Sequence, residues 1–590
     1  MAETAPTITP PSAIWHHPLN PQPTSLNKPT LLSQFARIAD APDAIPRLRQ
    51  FILDLAVRGK LVSQDPKDEP ASELLTRILT EKAKRIKDGK MRRQQTGSDL
   101  RDEDTPFQIP RNWQWVWLID LLTKLTDGTH HSPPNFRDGA FKYVSAKNIK
   151  PEGVSTSDIT YVSCEVHREI YKRCDPVKGD ILYIKDGATT GIVTVNNLDE
   201  PFSMLSSVAL LKLAGGVYNR LLVNFLRSPF FYDQMREQMK GAAITRVTLN
   251  RMAPVPIPLP PLAEQHRIVA KVDELMALCD RLEAAQAERE TRRTRLVAAT
   301  HAGLSHSILD TRHSTFFINT LPRLTTRPAD VSQLRQTILN LAVRGQLVPQ
   351  DLNDEPAATL LAKNHQVRQA AAATDRRADA AEQILLAAGD RWHVPSAWDW
   401  RALADLTLFI DYRGQTPTKV DSGVRLITAK NVRKGAINLA PEEFLSEQTY
   451  QTWMTRGLPR KGDVLFTTEA PMGNAAAVRF SERFALAQRV IDLRPYGATA
   501  PDFLVLQILS QPFQTILDKT ATGLTAKGIK AAKLKRLPIA VPPLAEQHRI
   551  VAKVDELMAL CDRLEAQLAT IQTQSRRLLE STLHQALAAT

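Results

Sequence analysis

The chain has 590 residues, 43% of them apolar, with a net charge of +13, a sequence pI near 9.5 and a mean hydropathy of -0.25. No run approaches the ~18 consecutive apolar residues of a membrane helix, the N-terminus lacks a basic start followed by an apolar core, and Cys164, Cys174, Cys279 and Cys561 form no CxxC pair. These patterns offer no membrane helix, no secretory signal and no paired-cysteine metal site. They lead to the expectation of a cytoplasmic protein with buried, reduced thiols and no metal, whose basic balance favours nucleic acid or an acidic surface.

In chain order, residues 1–30 are proline-dense and read as a disordered leader. Residues 31–105 form a helical segment and linker, in which LRQFILDLAVRGKLV from Leu48 starts as a helix and stops at Gly59. Residues 106–256 change texture: Trp113, Trp115 and Trp117 are followed by short β-like runs (ILYI, GIVTV, VALLKL), predicting a mixed α/β domain. Residues 257–305 predict a long helix opened by Pro-Pro and an early Glu. Residues 306–390 form a linker and second helical segment, with Gly345 as its stop. Residues 391–540 predict a second mixed domain (DVLF, AAAVRF, VIDL), and residues 541–590 a second long helix.

The chain is therefore written twice. Pro260–Ala284 and Pro542–Ala566 are identical, PPLAEQHRIVAKVDELMALCDRLEA, and Leu334 opens a close copy of the segment at Leu48. FKYVSAKNI and KGDILYI in the first half are answered by VRLITAKNV and KGDVLFT in the second. A period this long is a duplicated module rather than a solenoid. The fold class expected is α+β: two mixed α/β domains in a pseudo-twofold tandem duplication, separated by two long helices. On the helices, Ile268, Val272, Leu275, Cys279 and Leu282, and Ile550, Val554, Leu557, Cys561, Leu564 and Leu568, follow 4-3 spacing, the seam of a coiled coil. The first seam weakens after Leu282, where Gln286, Arg289 and Arg293 stand on it. An amphipathic helix packed on its own domain is the other reading of each stripe.

The excess charge sits in the middle regions. Lys and Arg outnumber Asp and Glu by 18 to 14 over Pro106–Pro256 and by 21 to 13 over Arg391–Ala540. The densest cluster, Lys519–Arg536, includes Lys527, Lys530 and Lys533; its counterpart includes Lys240, Arg246 and Arg251. Such clusters suit phosphate contacts. Lys147-Asn148 and Lys430-Asn431 occupy matching positions, and asparagine can take adenine bidentately while lysine takes guanine or phosphate; a turn-forming Asn beside a solvated Lys is the alternative. His130 and His131 are further phosphate candidates. Glu264, Gln265 and His266, with Glu546, Gln547 and His548, suit helix starts or subunit docking. No phosphate-binding loop, amino-methyltransferase motif, zincin motif or serine-hydrolase elbow occurs, so no catalytic residue is expected.

The duplicated IPLPPLAEQHRIVAKVDEL and IAVPPLAEQHRIVAKVDEL segments, the LRQ-ILxLAVRG segments, DGTHHSPP (Asp127–Pro134) and DYRGQTP (Asp411–Pro417) resemble those of specificity subunits of type I restriction–modification systems. The resemblance implies two target recognition domains, each reading half of a bipartite, asymmetric double-stranded DNA site. It implies a coiled coil that sets the spacer and docks two methyltransferase subunits, and two motor–nuclease subunits in the restriction complex. S-adenosylmethionine, ATP and Mg2+ would then belong to those partners, with no cofactor on this chain. A recognition subunit of a methyltransferase-only or phage-defence complex, a coiled-coil adaptor that binds no DNA, and a nuclease with an unrecognised active site are the other readings.

Overall fold

The computed structural model describes residues 41, 43–91, 100, 105–237, 246–306, 325–372, 392–412, 417–497, 499–523 and 527–588. The predicted leader, Lys240 and, within the 306–390 segment, residues 307–324 and 373–390 lie outside them. The chain forms two units, Met1–Glu288 with Gln572–Thr590, and Arg289–Ile571.

The first unit opens with helices Ala44–Val57 (α1) and Ala71–Lys87 (α2). Apolar residues at helical spacing, Ile45, Ile52, Leu53 and Ala56, bury one face of α1. Gly59 ends it as predicted. Its φ of +69° is left-handed, Lys60 N–H returns to the Leu55 carbonyl at 2.9 Å, and a Cβ there would lie 2.5 Å from Pro110 Cγ. Both conformation and space therefore require glycine. Gly345 repeats this in the second unit, at φ +68° and against Pro395. Lys82 on α2 is buried, and its ammonium donates to the Ile119 and Asp120 carbonyls at 2.8 and 3.1 Å; burial pushes its pKa down.

The first middle region holds strands Gln114–Trp117 (β1), Leu122–Asp127 (β2), Phe141–Val144 (β3), Ile149–Lys150 (β4), Gly153–Val154 (β5), Thr160–Val162 (β6), Ile181–Ile184 (β7), Val193–Val195 (β8), Ser203–Met204 (β9), Val208–Leu213 (β10) and Pro256–Leu259 (β11). Helices Cys164–Arg173 (α3), Asn219–Arg227 (α4) and Pro229–Glu237 (α5) intervene, and Leu262–His306 (α6) follows. β1 and β11 pair antiparallel, so the chain enters and leaves the domain side by side. The main sheet has the order β2-β10-β7-β8, antiparallel throughout, and a smaller sheet the order β6-β3-β9, with β3 and β9 parallel. The predicted runs ILYI and VALLKL are β7 and β10, buried along four consecutive residues each. Phe225 and Phe231, on α4 and α5, are 1% and 0% exposed in the core that α1 and the main sheet share. Burying such side chains stabilises the unit by about 1.5–3 kcal/mol each.

The second unit repeats this plan. Helices Pro328–Ala342 (α7) and Ala357–Ala372 (α8) lead to Asp399–Ala402 (β12), Thr407–Asp411 (β13), Val424–Ile427 (β14), Phe444–Leu445 (β15), Glu447–Trp453 (α9), Val464–Thr467 (β16), Ala475–Ala477 (β17), Phe484–Leu486 (β18), Val490–Pro495 (β19), Pro501–Leu509 (α10), Gln511–Thr520 (α11), Pro538–Val541 (β20) and Leu544–Ala588 (α12). Its sheets, β13-β19-β16-β17 and β15-β14-β18, have the same order, and β12 pairs with β20. The mixed α+β expectation holds for both domains.

The two predicted long helices are α6 and α12, 45 residues each. Their seams begin against their own units. Ile268 and Val272 are buried in the core with α1, and Ile550 and Val554 with α7, while Leu275 and Leu557 are half-buried on the same faces. Leu564 and Leu568 border the second core, whereas Leu282 is 36% exposed. The helix-on-domain reading thus accounts for the first turns of each stripe. The polar stretch of the first seam is not a solvated face: Arg293 is largely buried and pairs with Asp330 (3.1 Å) at the start of α7, and Arg327 pairs with Glu290 at 2.8 Å. The end of α12 from Gln572 belongs to the first unit, and there Leu579 is buried with Ala41 and Ala44. One cysteine expectation is corrected: Cys174, Cys279 and Cys561 are buried, but Cys164, the first residue of α3, is exposed. Among the described residues, no helix is long and apolar enough to cross a membrane.

Candidate nucleic-acid interface

In the first unit, β2 ends at Asp127 opposite Ala209, and β7 ends at Ile184 opposite Val208, so three strands present their loops at one end of the main sheet. The small sheet reaches the same end: Leu205 N–H donates to the Val144 carbonyl, and Thr129 bridges Leu205. The basic segment arrives there too, with Arg246 bridging Asp186 and Val247 N–H donating to the Lys185 carbonyl. Asp127 is 3% exposed, and its carboxylate gathers cations. Oδ1 accepts from Arg173 Nη2 and lies 3.4 Å from His130 Nε2, while Oδ2 lies 3.5 Å from Lys185 Nζ. Lys185 is itself buried and also pairs with Asp186 at 3.2 Å. Three basic side chains are thus fixed around one acid at the end of the sheet, with His130 and His131 exposed beside it.

The second unit builds the corresponding end from β13, which ends at Asp411, and β16, which ends at Thr467. Arg456 Nη1 donates to the Asp411 carbonyl at 2.6 Å, and Arg489 pairs with Glu469 at 2.7 Å. The basic loop is tied to this end through its backbone: Gly528 bridges both Thr522 and Glu469, and Ile529 N–H donates to the Thr468 carbonyl. Lys527, Lys530 and Lys533 are exposed; Lys533 Nζ donates to the Thr520 carbonyl at 3.1 Å, and Lys530 precedes the one-turn helix Ala531–Leu534. Arg246 in the first unit is likewise exposed, whereas Arg251 is half-buried in the turn Leu249–Met252.

The predicted asparagines need correction. Asn148 and Asn431 are 2% and 1% exposed. Asn148 Oδ1 accepts from Ser145 N–H at 3.0 Å and its amide donates to the Ser155 and Asp158 carbonyls, both at 3.3 Å. Asn431 repeats this with Thr428, Asn438 and Pro441. Both amides close loops, as the turn reading expects, and reading adenine would require breaking these bonds. Their neighbours Lys147 and Lys430 are exposed; Lys147 pairs with Asp158 at 3.0 Å. Sequence reasoning missed Arg173, Arg456 and the buried Asp127. A signal existed: Ser163 and Ser446 each cap a helix, and each is followed ten residues later by an arginine.

The repeated helix start is a lock. Glu264 and Glu546 are almost fully buried, accepting from Trp113 and Trp398 Nε1 at 3.0 Å and from Gln64 and Gln350 at 2.6 and 2.5 Å. Burial pushes both carboxyls up, against the pull of these hydrogen bonds. Gln265 and Gln547 receive the backbone N–H of Tyr218 and Ala500 at 2.8 and 2.9 Å. Arg267–Asp68 and Arg549–Asp354 flank them at 2.6 Å. His266 and His548 remain exposed.

Comparison with known proteins shows the family of the chain. The family model described as "Type I restriction modification DNA specificity domain" matches residues 110–290 and 432–572, together more than half of the chain. The chain is 29% identical to the type I restriction enzyme EcoAI specificity subunit of Escherichia coli, covering 90% of this chain and 92% of that protein. It is 26% identical to the EcoEI specificity subunit of the same organism, covering 92% and 94%. The crystal structure of the HsdS subunit from Thermoanaerobacter tengcongensis is 19% identical, with a TM-score of 0.40, covering 82% of this chain and 98% of that one. The chain belongs to the type I restriction-modification DNA specificity family.

Proposed function

We propose that each unit reads one half of a bipartite, asymmetric DNA site with the loop cluster at the end of its main sheet. The observation that carries this reading is the repetition of one construction with different side chains. Both sheets end in loops that gather cations, but around Asp127 in one unit and around Arg456, Arg489 and the Lys527–Lys533 segment in the other. Phosphate contacts from such cations set position, and base-edge contacts set sequence. Different loops on the same frame suit different half-sites.

In this reading α6 and α12 set the spacer as a coiled coil; 45 residues of helix span about 67 Å. The identical segments dock two identical methyltransferase subunits. Their identity extends beyond the buried lock to exposed positions: His266 and His548 are exposed, and Leu278 and Leu560 are each 44% exposed. Burial does not constrain such positions, whereas a shared partner would. The partners supply S-adenosylmethionine-dependent adenine methylation and, in the restriction complex, ATP- and Mg2+-dependent cleavage, and this chain supplies no catalysis. The test is binding by the chain with its methyltransferase subunits to defined duplexes, beside nuclease, methylase and ATPase assays of the chain alone. Sequence-dependent binding and an inert isolated chain are expected. Activity of the isolated chain, or binding without sequence preference, would overturn the reading.

A further inference from the structure

We propose that Arg173 and Arg456 are equivalent guanine-reading side chains, one per recognition domain, and that the buried Asp127 is the positioning residue of the first. This rests on the sequence-recognition reading above. The two arginines correspond by register: each follows its capping serine, Ser163 or Ser446, by ten residues. Each is anchored on the last residue of the first strand of its main sheet, Arg173 on the Asp127 carboxylate and Arg456 on the Asp411 carbonyl at 2.6 Å. Each reaches the end of the sheet where the basic segment docks, and each is exposed, Arg173 to 53% of its side chain.

The anchoring in the first unit is the more constrained. Asp127 is held at the sheet end by its own burial and by Lys185, so its Oδ1 fixes one edge of the Arg173 guanidinium, which also lies 3.2 Å from His130 Nε2. Only Nη2 is engaged in this way; among the described residues Nε and Nη1 make no side-chain contact. A guanidinium fixed at one edge presents its remaining donors as a planar fork, the geometry that meets guanine O6 and N7 together. Lysine retains the charge but not the fork. A phosphate contact would tolerate that exchange, and a bidentate base contact would not.

The experiment selects from a pool of random-sequence duplexes with the full chain in complex with its methyltransferase subunits. It compares wild type, Arg173→Lys, Arg456→Lys, Asp127→Asn and, as a charge-matched control on the same helix, the exposed Arg168→Lys. Wild type is expected to enrich a two-part motif. Arg173→Lys should lose preference for a guanine at one position of one half-site by roughly five- to a hundredfold, and Arg456→Lys should do so in the other half. Asp127→Asn should relax the same position as Arg173→Lys and leave the second half-site intact, which general loss of folding would not produce. Arg168→Lys should leave the motif unchanged. An unchanged motif in both Lys variants would overturn the proposal. So would uniform weakening across all sequences with a shallower salt dependence, because that is the mark of a phosphate contact. If the wild-type complex enriches no motif at all, sequence recognition by these domains falls, and this assignment with it.

Discussion

Replacing Glu546 by alanine removes the acceptor that joins the start of α12 to its own domain. Trp398 Nε1 and the Gln350 amide donate to it at 3.0 and 2.5 Å, and the carboxylate is 1% exposed. Hydrogen bonds to a charged group contribute about 1.5–3 kcal/mol each, and a buried donor left without an acceptor costs about 1–3 kcal/mol. Relief of the buried charge offsets part of this, so a net loss of about 2–4 kcal/mol is expected. Glu546→Gln should lose less than about 1 kcal/mol, since its carbonyl can serve Trp398 while the Gln350 amide turns to present its own oxygen. Burial raises the Glu546 carboxyl above its ordinary range, and the sign follows from linkage. The group's contribution is fully present below the unfolded value of ~4.3 and is lost as pH rises through the folded value. Glu546→Gln should therefore flatten the fall in stability across that window. Urea unfolding at several pH values, with Trp398→Phe completing a double-mutant cycle, measures each quantity. The equivalent Glu264→Ala in the first unit should behave alike. An alanine variant within about 0.5 kcal/mol of wild type, or a coupling energy near zero, would refute the lock.

Lys527→Ala combined with Lys530→Ala should weaken duplex binding by the complex and reduce the slope of log affinity against log salt by about 2, read by titration at several ionic strengths. Cys164 should react rapidly with a maleimide in the native protein. Cys174, whose thiol burial pushes up to about 12, should react only on unfolding. Asp492 is fully buried, with Arg494 Nη2 4.0 Å away, and burial beside Asp463 holds its carboxyl well above the usual range. Its contribution is present at low pH and lost as pH rises through that raised value, so Asp492→Asn should remove this pH dependence from urea unfolding; superimposable curves for wild type and variant would count against it.

The repeat made the architecture legible. Two copies of one helix segment, matching glycine stops at Gly59 and Gly345, and β-like runs in register gave the two domains and their order, because these features are local. The interface was legible only in part. The segment from Lys519 to Arg536 announces itself by charge density, but Asn148 and Asn431 look identical in sequence whether they face DNA or close a turn. Their burial depends on contacts with residues up to ten positions away. Asp127 and Arg173 are 46 residues apart and meet only because β2 and α3 end at the same edge. The polar seam at Arg293 looks like a weak coiled coil until Asp330 and Arg327, more than 30 residues on, provide its partners.

The most direct test of two half-sites read by two domains is to map methylated adenines in DNA modified by the complex, for wild type and for a chain carrying residues 391–540 of a relative in place of its own. The account predicts an asymmetric two-part motif with a fixed spacer, in which the exchange alters one half alone. A single contiguous motif, or a change in both halves on exchanging one domain, would contradict it.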